Sequence, residues 1–366
     1  MKIGIVTLRS GKNVGGLLQA YAMQTILEQM GHKVEFIDYQ LPIKNTVRSF
    51  ISKSPLTTYY KCLDKFNAWR YRNFRNVKWL LNISPTHYKF YQELEINPPI
   101  YDYYIVGSDQ VWNFSNLLVP FFLLKFVPQN RPKIAYAASM GQCRLNTNLY
   151  NDFKNELQTF KAISLREDKS LNFIKTLMGS QCNVQKTIDP TLLISKDYYT
   201  KISNKLTKMP SYYMVSYILS NLEKKQIKTI KEFSLYNNIE LINLRNPDTC
   251  IRISNTKNKI VSVPEWLSYI QNATYVICSS FHATVFSIIF HKPFIVILPT
   301  SQKEQGGNER INSLLKPLNL LSHVVYTTNR QQIQSILDEK INWETIDNKI
   351  LELRKQSIYF LKQNLE

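Results

Sequence analysis

The chain has 366 residues, of which 44% are hydrophobic and 20% charged, and its formal net charge is +19. This length favours two domains over one, and the composition is that of a globular protein, not a disordered or fibrous one. The basic excess suits nucleic acid, an anionic membrane surface or an acidic small substrate as partner, or reflects an A/T-rich genome.

The first residues predict a βαβ unit. Residues 3–8 form an apolar strand, and residues 17–30 carry apolar side chains at helical spacing up to Gly31, a residue typical of helix ends. Residues 34–38 follow as a second strand. Because a helical crossover joins parallel strands, this opening predicts a parallel sheet.

The loop between the first strand and its helix is Asn13-Val14-Gly15-Gly16. Glycines in this place let backbone N–H groups approach a ligand, and a helix N-terminus favours an anion. The loop is neither GxGxxG nor a P-loop. A phosphate site and a tight turn required for packing are therefore both open interpretations.

Residues 41–100 break the α/β pattern with ten basic residues against three acidic ones, interleaved with aromatic residues. We predict that they form basic amphipathic helices inserted into the first domain. A solvated helical face is the common reason for such a pattern, and peripheral contact with the inner membrane surface is the alternative. No RNA-binding motif accompanies the charge, so we expect no nucleic-acid partner.

From residue 101 the alternation of strands and helices returns. The Lys/Ser/Asn-rich stretch 196–210 suggests a domain boundary, so we assign residues 1–200 to an N-terminal and 201–366 to a C-terminal Rossmann-like domain. The predicted fold is α/β, with two doubly wound domains that face a cleft. The remaining strands are predicted at 103–106, 133–137, 162–165, 184–188, 212–217, 239–243, 275–278 and 294–298, with a helix at 333–364.

Two chemistry-bearing side chains follow predicted strands of the first domain, at the strand ends where α/β proteins bind ligands. Asp109 comes after the strand 103–106, where it could cap the next helix, hold a sugar hydroxyl or act as a base. Arg166 comes after the strand 162–165. Its planar guanidinium suits a carboxylate or phosphate ligand, and a salt bridge to Glu167 or Asp168 is the structural alternative.

In the second domain, His282 follows the strand 275–278 and opens an apolar helical run. A histidine at a helix N-terminus can move protons near neutral pH beside free N–H groups that bind anions, or it can simply pack in the turn. The absence of GxSxG argues against a Ser-His-Asp hydrolase. Arg310 follows a polar, Gly-containing loop, and it either reaches an anion in the cleft or stays at the surface.

Metal binding and secretion are not predicted. The five cysteines lie far apart, without a CxxC pair or a metal-ligand spacing, which fits free thiols in a reducing compartment. The first six residues are typical of a strand rather than a signal peptide, and no apolar run approaches the roughly 18 residues of a membrane span. We therefore expect a cytoplasmic protein with no obligatory metal.

Taken together, these residues resemble the polysaccharide pyruvyl transferase family. The resemblance covers roughly residues 1–320, and this chain has Ala283 where the family usually has glycine and Ser279 where many members have aspartate. Five motifs in order carry it: Asn13-x-Gly15-Gly16-x-x-Gln19-Ala20-Tyr21, Gly107-Ser108-Asp109-Gln110-Val111-Trp112-Asn113, Ile163-Ser164-x-Arg166-Glu167, Asp189-Pro190-Thr191 and Ser280-Phe281-His282-Ala283-Thr284.

The resemblance implies a fold like that of the GT-B glycosyltransferases, with the site in the interdomain cleft. It implies phosphoenolpyruvate as donor, a sugar or lipid-linked oligosaccharide of a cell-surface polysaccharide as acceptor, and a pyruvate ketal and phosphate as products. The donor is a substrate, and no further cofactor is implied. The family's functional arginine and histidine fall on Arg166 and His282. The predicted substrate-binding residues are Asn13, Gly15, Gly16, Ser108, Asp109, Gln110, Asp189, Ser280, Phe281 and Arg310.

Two other functions stay open. A nucleotide-sugar-dependent glycosyltransferase would have the same fold, and the basic charge would suit a diphosphate. A non-catalytic glycan-assembly protein would dock at the membrane through residues 41–100, although the pairing of Arg166 with His282 at strand ends argues against it. The oligomeric state is left open.

Overall fold

Two parallel β-sheets, of seven and six strands, follow one another along the chain. The inner strands are buried on both faces, as in β1 (Lys2–Val6), which is typical of parallel sheets whose faces are covered by helices. The computed structural model describes residues 1–10, 12–40, 77–113, 119–141, 150–179, 182–203, 209–219, 222–245, 252–301, 308–327 and 329–366.

The first sheet has the strand order β3-β2-β1-β4-β5-β6-β7, with every neighbouring pair parallel. Its other strands are β2 (Lys33–Tyr39), β3 (Ile83–Tyr88), β4 (Tyr103–Val106), β5 (Lys133–Ala138), β6 (Ala162–Leu165) and β7 (Val184–Lys186). The helices of this part are α1 (Val14–Gln29), α2 (Tyr91–Ile96), α3 (Val119–Phe122), α4 (Tyr150–Leu157) and α5 (Asp168–Met178).

The second sheet has the order β10-β9-β8-β11-β12-β13 and is also parallel throughout. Its strands are β8 (Tyr213–Tyr217), β9 (Glu240–Arg245), β10 (Lys257–Ile260), β11 (Tyr275–Cys278), β12 (Phe294–Ile297) and β13 (Val324–Val325). The remaining helices are α6 (Lys196–Ile202), α7 (Lys224–Tyr236), α8 (Val263–Asn272), α9 (Phe281–Ile289), α10 (Glu309–Leu315), α11 (Arg330–Asp338) and α12 (Trp343–Leu365).

The last helix, α12, crosses back onto the first domain. Arg354 donates from Nε to the carbonyl of Leu192 at 2.7 Å, and Ser357 Oγ accepts from the backbone N–H of Ile188 at 3.1 Å. One apolar core cluster includes side chains of both sheets and of this helix. The described parts of the two domains are therefore joined by buried contacts rather than by the connecting chain alone. Within the described ranges, no helix combines the length and the apolar character that crossing a membrane requires.

Three sequence predictions of secondary structure need correction. Residues 41–76 of the predicted helical insertion lie outside the described residues, but residues 83–88 form the strand β3 instead of a helix. This strand lies at the sheet edge, where Pro85 removes no necessary ladder hydrogen bond. The helix predicted at 333–364 is two helices, α11 and α12, because the chain turns at residues 339–342 and Asn342 caps the second. The strands β10 and β13 were not predicted, since both are short edge strands.

Candidate active site

The candidate site lies where the strand order of each sheet reverses. In the first sheet β1 neighbours both β2 and β4, and in the second β8 neighbours both β9 and β11. Loops that follow such strands diverge and leave a crevice at the carboxyl edge of the sheet, where ligands bind in open α/β folds. The loops after β1 and β4 carry Asn13 and Asp109, and the loop after β11 leads to His282.

Arg166 occupies the centre of the site and is 4% exposed. Its Nε donates to Glu167 Oε1 at 3.0 Å, and its Nη1 is paired with Asp189 Oδ2. Its Nη2 lies 4.0 Å from Asp109 Oδ1. Burial opposes the charge, but Glu167, Asp189 and Asp109 outweigh it and raise the pKa of Arg166 above its ordinary value. The guanidinium lies over the aromatic ring of Phe281, from the other domain, with 4.3 Å between Arg166 Cζ and the ring centroid.

Asp189 is a buried carboxylate that both domains share. Its Oδ1 accepts from the backbone N–H and the hydroxyl of Thr191 at 3.0 and 2.6 Å. Its Oδ2 accepts from Arg166 and lies 3.7 Å from His282 Nε2, which is ion-pair range rather than hydrogen-bond distance. Burial alone would raise the pKa of Asp189, but His282, Arg166 and Thr191 hold it well below its ordinary value. Both oxygens of Asp189 thus already have partners among the side chains of the site.

His282 projects from the first turn of α9 and is 7% exposed. The turn forms there because Ser280 is the N-cap, with its hydroxyl accepting from Ala283 N at 3.5 Å. His282 Nε2 is buried and has no hydrogen-bond partner among the described residues. The same holds for Arg166 Nη2. Two buried side-chain nitrogens of the site, one from each domain, therefore have no hydrogen-bond partner among the described residues.

The loop after β1 is tied to the loop after β4. Asn13 caps α1, where its Oδ1 accepts from Gly16 N at 3.1 Å, and its Nδ2 donates to Asp109 Oδ2 at 3.2 Å. The hydroxyl of Ser108 donates to Ala137 O at 2.8 Å and lies 3.4 Å from Asp189 Oδ2. Asn13 and Ser108 thus hold the carboxylates around Arg166.

Gln19 also belongs to this hydrogen-bond network, although it was not among the predicted site residues. Its side chain is fully buried, donates to Thr7 Oγ1, Leu8 O and Gly16 O, and accepts from Ser108 N at 3.1 Å. It therefore joins α1 to both loops. The signal that could have revealed it is a long polar side chain inside the apolar run of α1, within the motif Gln19-Ala20-Tyr21.

Arg310, on the first turn of α10, adds a second guanidinium near the first. It makes no salt bridge with another described residue, and burial together with the charge of Arg166 lowers its pKa. It lines a cavity of about 130 Å³ whose walls are mostly apolar. Six of the lining residues are Arg166, Lys186, Phe281, Arg310, Leu314 and Leu353. A guanidinium that forms no salt bridge with the described residues, beside such a cavity, favours a small organic anion.

The structure brings most of the predicted site residues together, but not all of them. Arg166, His282, Asp189, Asp109, Asn13, Ser108, Phe281, Gly15 and Arg310 are in or next to the cluster. Gly16 and Ser280 take part as helix-cap partners. Gln110 accepts a hydrogen bond from Asn113 Nδ2 at 2.8 Å and is directed at that residue instead of the cluster.

The side chains in the site suit proton transfer and anion binding. Three carboxylates, of Asp109, Glu167 and Asp189, face two guanidiniums and one imidazole. In the described part of the chain, no group of three or more His, Cys, Asp or Glu side chains has an arrangement that could hold a metal ion. The imidazole can exchange a proton with a bound molecule, while the guanidiniums stabilise negative charge on it.

Comparisons with known proteins agree on family and fold. A family model described as polysaccharide pyruvyl transferase matches residues 13–301. No curated protein matches the chain in sequence. The UDP-GlcNAc 2-epimerase of Methanocaldococcus jannaschii aligns at TM-score 0.55 and 12% identity, over 98% of this chain and 99% of that one.

Two further structures align over nearly the whole chain. UDP-N-acetylglucosamine 2-epimerase from Rickettsia bellii aligns at TM-score 0.52 and 13% identity, over 99% of this chain and 98% of that one. Glycosyltransferase SnogD from Streptomyces nogalater aligns at TM-score 0.47 and 10% identity, over 100% and 99%. Identities this low concern the fold alone. The predicted fold class, two parallel-sheet α/β domains, is confirmed.

Proposed function

The chain belongs to the polysaccharide pyruvyl transferase family, and on that premise we propose that it moves the pyruvyl group of phosphoenolpyruvate onto a sugar. The acceptor is a cell-surface polysaccharide or its lipid-linked precursor, and the products are a pyruvate ketal and phosphate. The supporting observation is a pair of buried atoms, Arg166 Nη2 and His282 Nε2, that have no hydrogen-bond partner among the described residues. The protonated imidazole that the proposed reaction requires donates from Nε2, as the guanidinium does from Nη2. A buried donor without an acceptor costs about 1–3 kcal/mol, so an anionic ligand that accepts from both stabilises the site.

The charge of the donor is divided between two arginines in this proposal. Glu167 and Asp189 already occupy Nε and Nη1 of Arg166, which leaves Nη2 rather than a complete bidentate fork. Arg310 has no salt bridge with a described residue and can therefore bind the phosphate or carboxylate with its full guanidinium. In this division Arg166 fixes the geometry of the site, and Arg310 provides the guanidinium that binds the anion.

His282 carries protons in this mechanism. The first sugar hydroxyl adds to C2 of the donor while the protonated imidazole of His282 delivers a proton to the methylene carbon C3, which becomes the methyl group, and the neutral imidazole then accepts the proton of that hydroxyl. The second hydroxyl then attacks C2, the bond from C2 to the phosphate oxygen breaks, and the proton of that hydroxyl leaves with phosphate. One imidazole that acts first as acid and then as base serves both proton transfers. Arg166 and Arg310 stabilise the charge that develops on the leaving phosphate.

Ligand-dependent thermal unfolding tests this function against the main alternative. Phosphoenolpyruvate at about 100 times its Kd should stabilise the folded protein by about 2.7 kcal/mol, and release of phosphate should then require a sugar acceptor. Two of the aligned structures are UDP-sugar 2-epimerases, which makes a nucleotide sugar the appropriate competitor. A shift with the nucleotide sugar and none with phosphoenolpyruvate would favour a glycosyltransferase instead.

Removing the charge of Arg310 should weaken donor binding selectively. Arg310→Met should raise the KM for phosphoenolpyruvate by about 10–100-fold, because a charged hydrogen-bond partner is lost from the cavity. The matched control is Lys186→Met, which removes another cation from the same cavity. Lys186 is already paired with Asp168 at 2.6 Å, so its loss should leave the donor KM nearly unchanged. Equal effects of the two variants would argue against a specific role of Arg310.

A further inference from the structure

Gly15 contacts the imidazole of His282 across the boundary between the two domains. A Cβ atom built on Gly15 would lie closer than 3.0 Å to three ring atoms, Nδ1, Cγ and Cε1. Real Cβ atoms essentially never approach other atoms so closely. The ring of His282 therefore occupies the space that any side chain at position 15 would need.

The backbone of Gly15 gives no other reason for a glycine. The residue lies in the first turn of α1, and its φ is outside the left-handed region that favours glycine. Glycine inside a helix is about 1 kcal/mol less favourable than alanine. Glycine at position 15 therefore makes α1 locally less stable than alanine would. In return, the missing side chain leaves the space that the imidazole occupies.

Other contacts fix the orientation of the same ring. Asp189 Oδ2 lies 3.7 Å from Nε2, and the ring of Phe281 meets the imidazole edge-on with 5.1 Å between centroids. Gly15 faces the opposite part of the ring, around Nδ1. His282 comes from the C-terminal domain, whereas Gly15 and Asp189 come from the N-terminal one.

We propose that Gly15 is a positioning residue whose absent side chain lets His282 enter the first domain with Nε2 directed at Asp189. The catalytic consequence rests on the proposed function, but the packing relation does not. Gly15 was expected to bind substrate through its backbone. The geometry instead gives it an indirect role, through the histidine.

A double-mutant cycle in thermal stability tests the packing relation without any substrate. Gly15→Ala should lower the Tm by several degrees when His282 is present, because the new methyl group overlaps the ring. In the His282→Ala background the same change should not lower the Tm, since the space is then free and alanine is the better helix former. If Gly15→Ala alone fails to fold, a folded double variant, Gly15→Ala with His282→Ala, would equally show that the overlap with the ring causes the loss of stability. A loss that persists in the His282→Ala background, or a double variant that does not fold, would overturn the proposal.

Gly16→Ala is the matched control for this cycle. A Cβ atom on Gly16 would meet Asn13 Nδ2 at 2.7 Å and Leu8 O at 2.9 Å, but not the imidazole. Its destabilisation should therefore be the same whether or not His282 is present. If the Tm change of Gly15→Ala depends on His282 while that of Gly16→Ala does not, the coupling arises from contact with the ring and not from a general effect on α1.

The kinetic readout separates positioning from a purely structural role. Gly15→Ala should lower kcat for phosphate release by about 100-fold, the usual cost of displacing a catalytic group by about 1 Å, while the donor KM changes little. In the His282→Ala background it should have no further effect on kcat. A raised donor KM with unchanged kcat would instead support direct substrate binding by the loop and contradict the positioning role.

Discussion

Replacing His282 by alanine should lower the turnover number for phosphate release by about 10²–10⁴-fold, the range that one positioned acid–base group contributes. The imidazole is the only titratable side chain that α9 brings to Asp189, and its Nε2 has no hydrogen-bond partner among the described residues. Steady-state phosphate release at saturating phosphoenolpyruvate and acceptor measures the loss. The donor KM should change much less, because both arginines remain.

His291→Ala is the control for that experiment. His291 also lies in the C-terminal domain, directly after α9, but its Nε2 is paired with Asp347 at 3.0 Å and its ring stacks on Trp343. Its removal should leave turnover unchanged. Wild-type turnover in His282→Ala would show that the proton carrier is another group, whatever the result with His291.

Folding of the His282→Ala variant is expected to be nearly normal. The imidazole makes no hydrogen bond within the described residues, and Asp189 keeps Arg166 and both groups of Thr191 as partners. The ring does fill space beside Gly15, so a small loss from the resulting cavity is expected. A large kinetic effect on a folded protein would therefore report chemistry and not unfolding.

The sequence predicted most of the strands and the strand-end positions of two central side chains, because both depend on local patterns. Apolar runs of four to six residues identify buried parallel strands, and the carboxyl ends of those strands identify Arg166 and His282. The edge strands β3 and β10 were not predicted, because their exposed positions interrupt the apolar run. Composition and spacing cannot distinguish such strands from loops.

The roles of individual side chains depended on long-range contacts and could not be predicted in the same way. A salt bridge from Arg166 to Glu167 was an alternative to ligand binding, yet the structure contains that bridge and still leaves Nη2 unpartnered. Gln19 and Gly15 contact residues about 90 and 270 positions away, and no local pattern reports such a contact. Substrate binding by Asp189 stays a prediction, and its hydrogen bonds with Thr191, two residues away, and Arg166, 23 residues away, are contacts that the sequence did not reveal.

Arg166→Lys should lower both the stability of the protein and its affinity for the donor. The guanidinium faces three carboxylates, and a single ammonium cannot reproduce its contacts with Glu167 and Asp189 at once. Leaving one buried carboxylate without its partner costs up to about 3–5 kcal/mol, so denaturant unfolding should show a clear loss. The donor KM should rise by about 10-fold or more, because Nη2 is lost as well.

Arg354→Lys separates this expectation from a general effect of replacing an arginine that joins the two domains. Arg354 also bridges elements of the two domains, but its partners are the neutral carbonyls of Leu192 and Ile194. An ammonium can still donate to a carbonyl, and no carboxylate loses a partner, so the donor KM should stay close to wild type. If Arg166→Lys left both stability and donor KM unchanged, the three carboxylates would not depend on the guanidinium, and the donor site would have to be placed around Arg310 alone. A stability loss with an unchanged KM would restrict Arg166 to holding Asp189 and Glu167 in position, which is the role its occupied nitrogens already indicate.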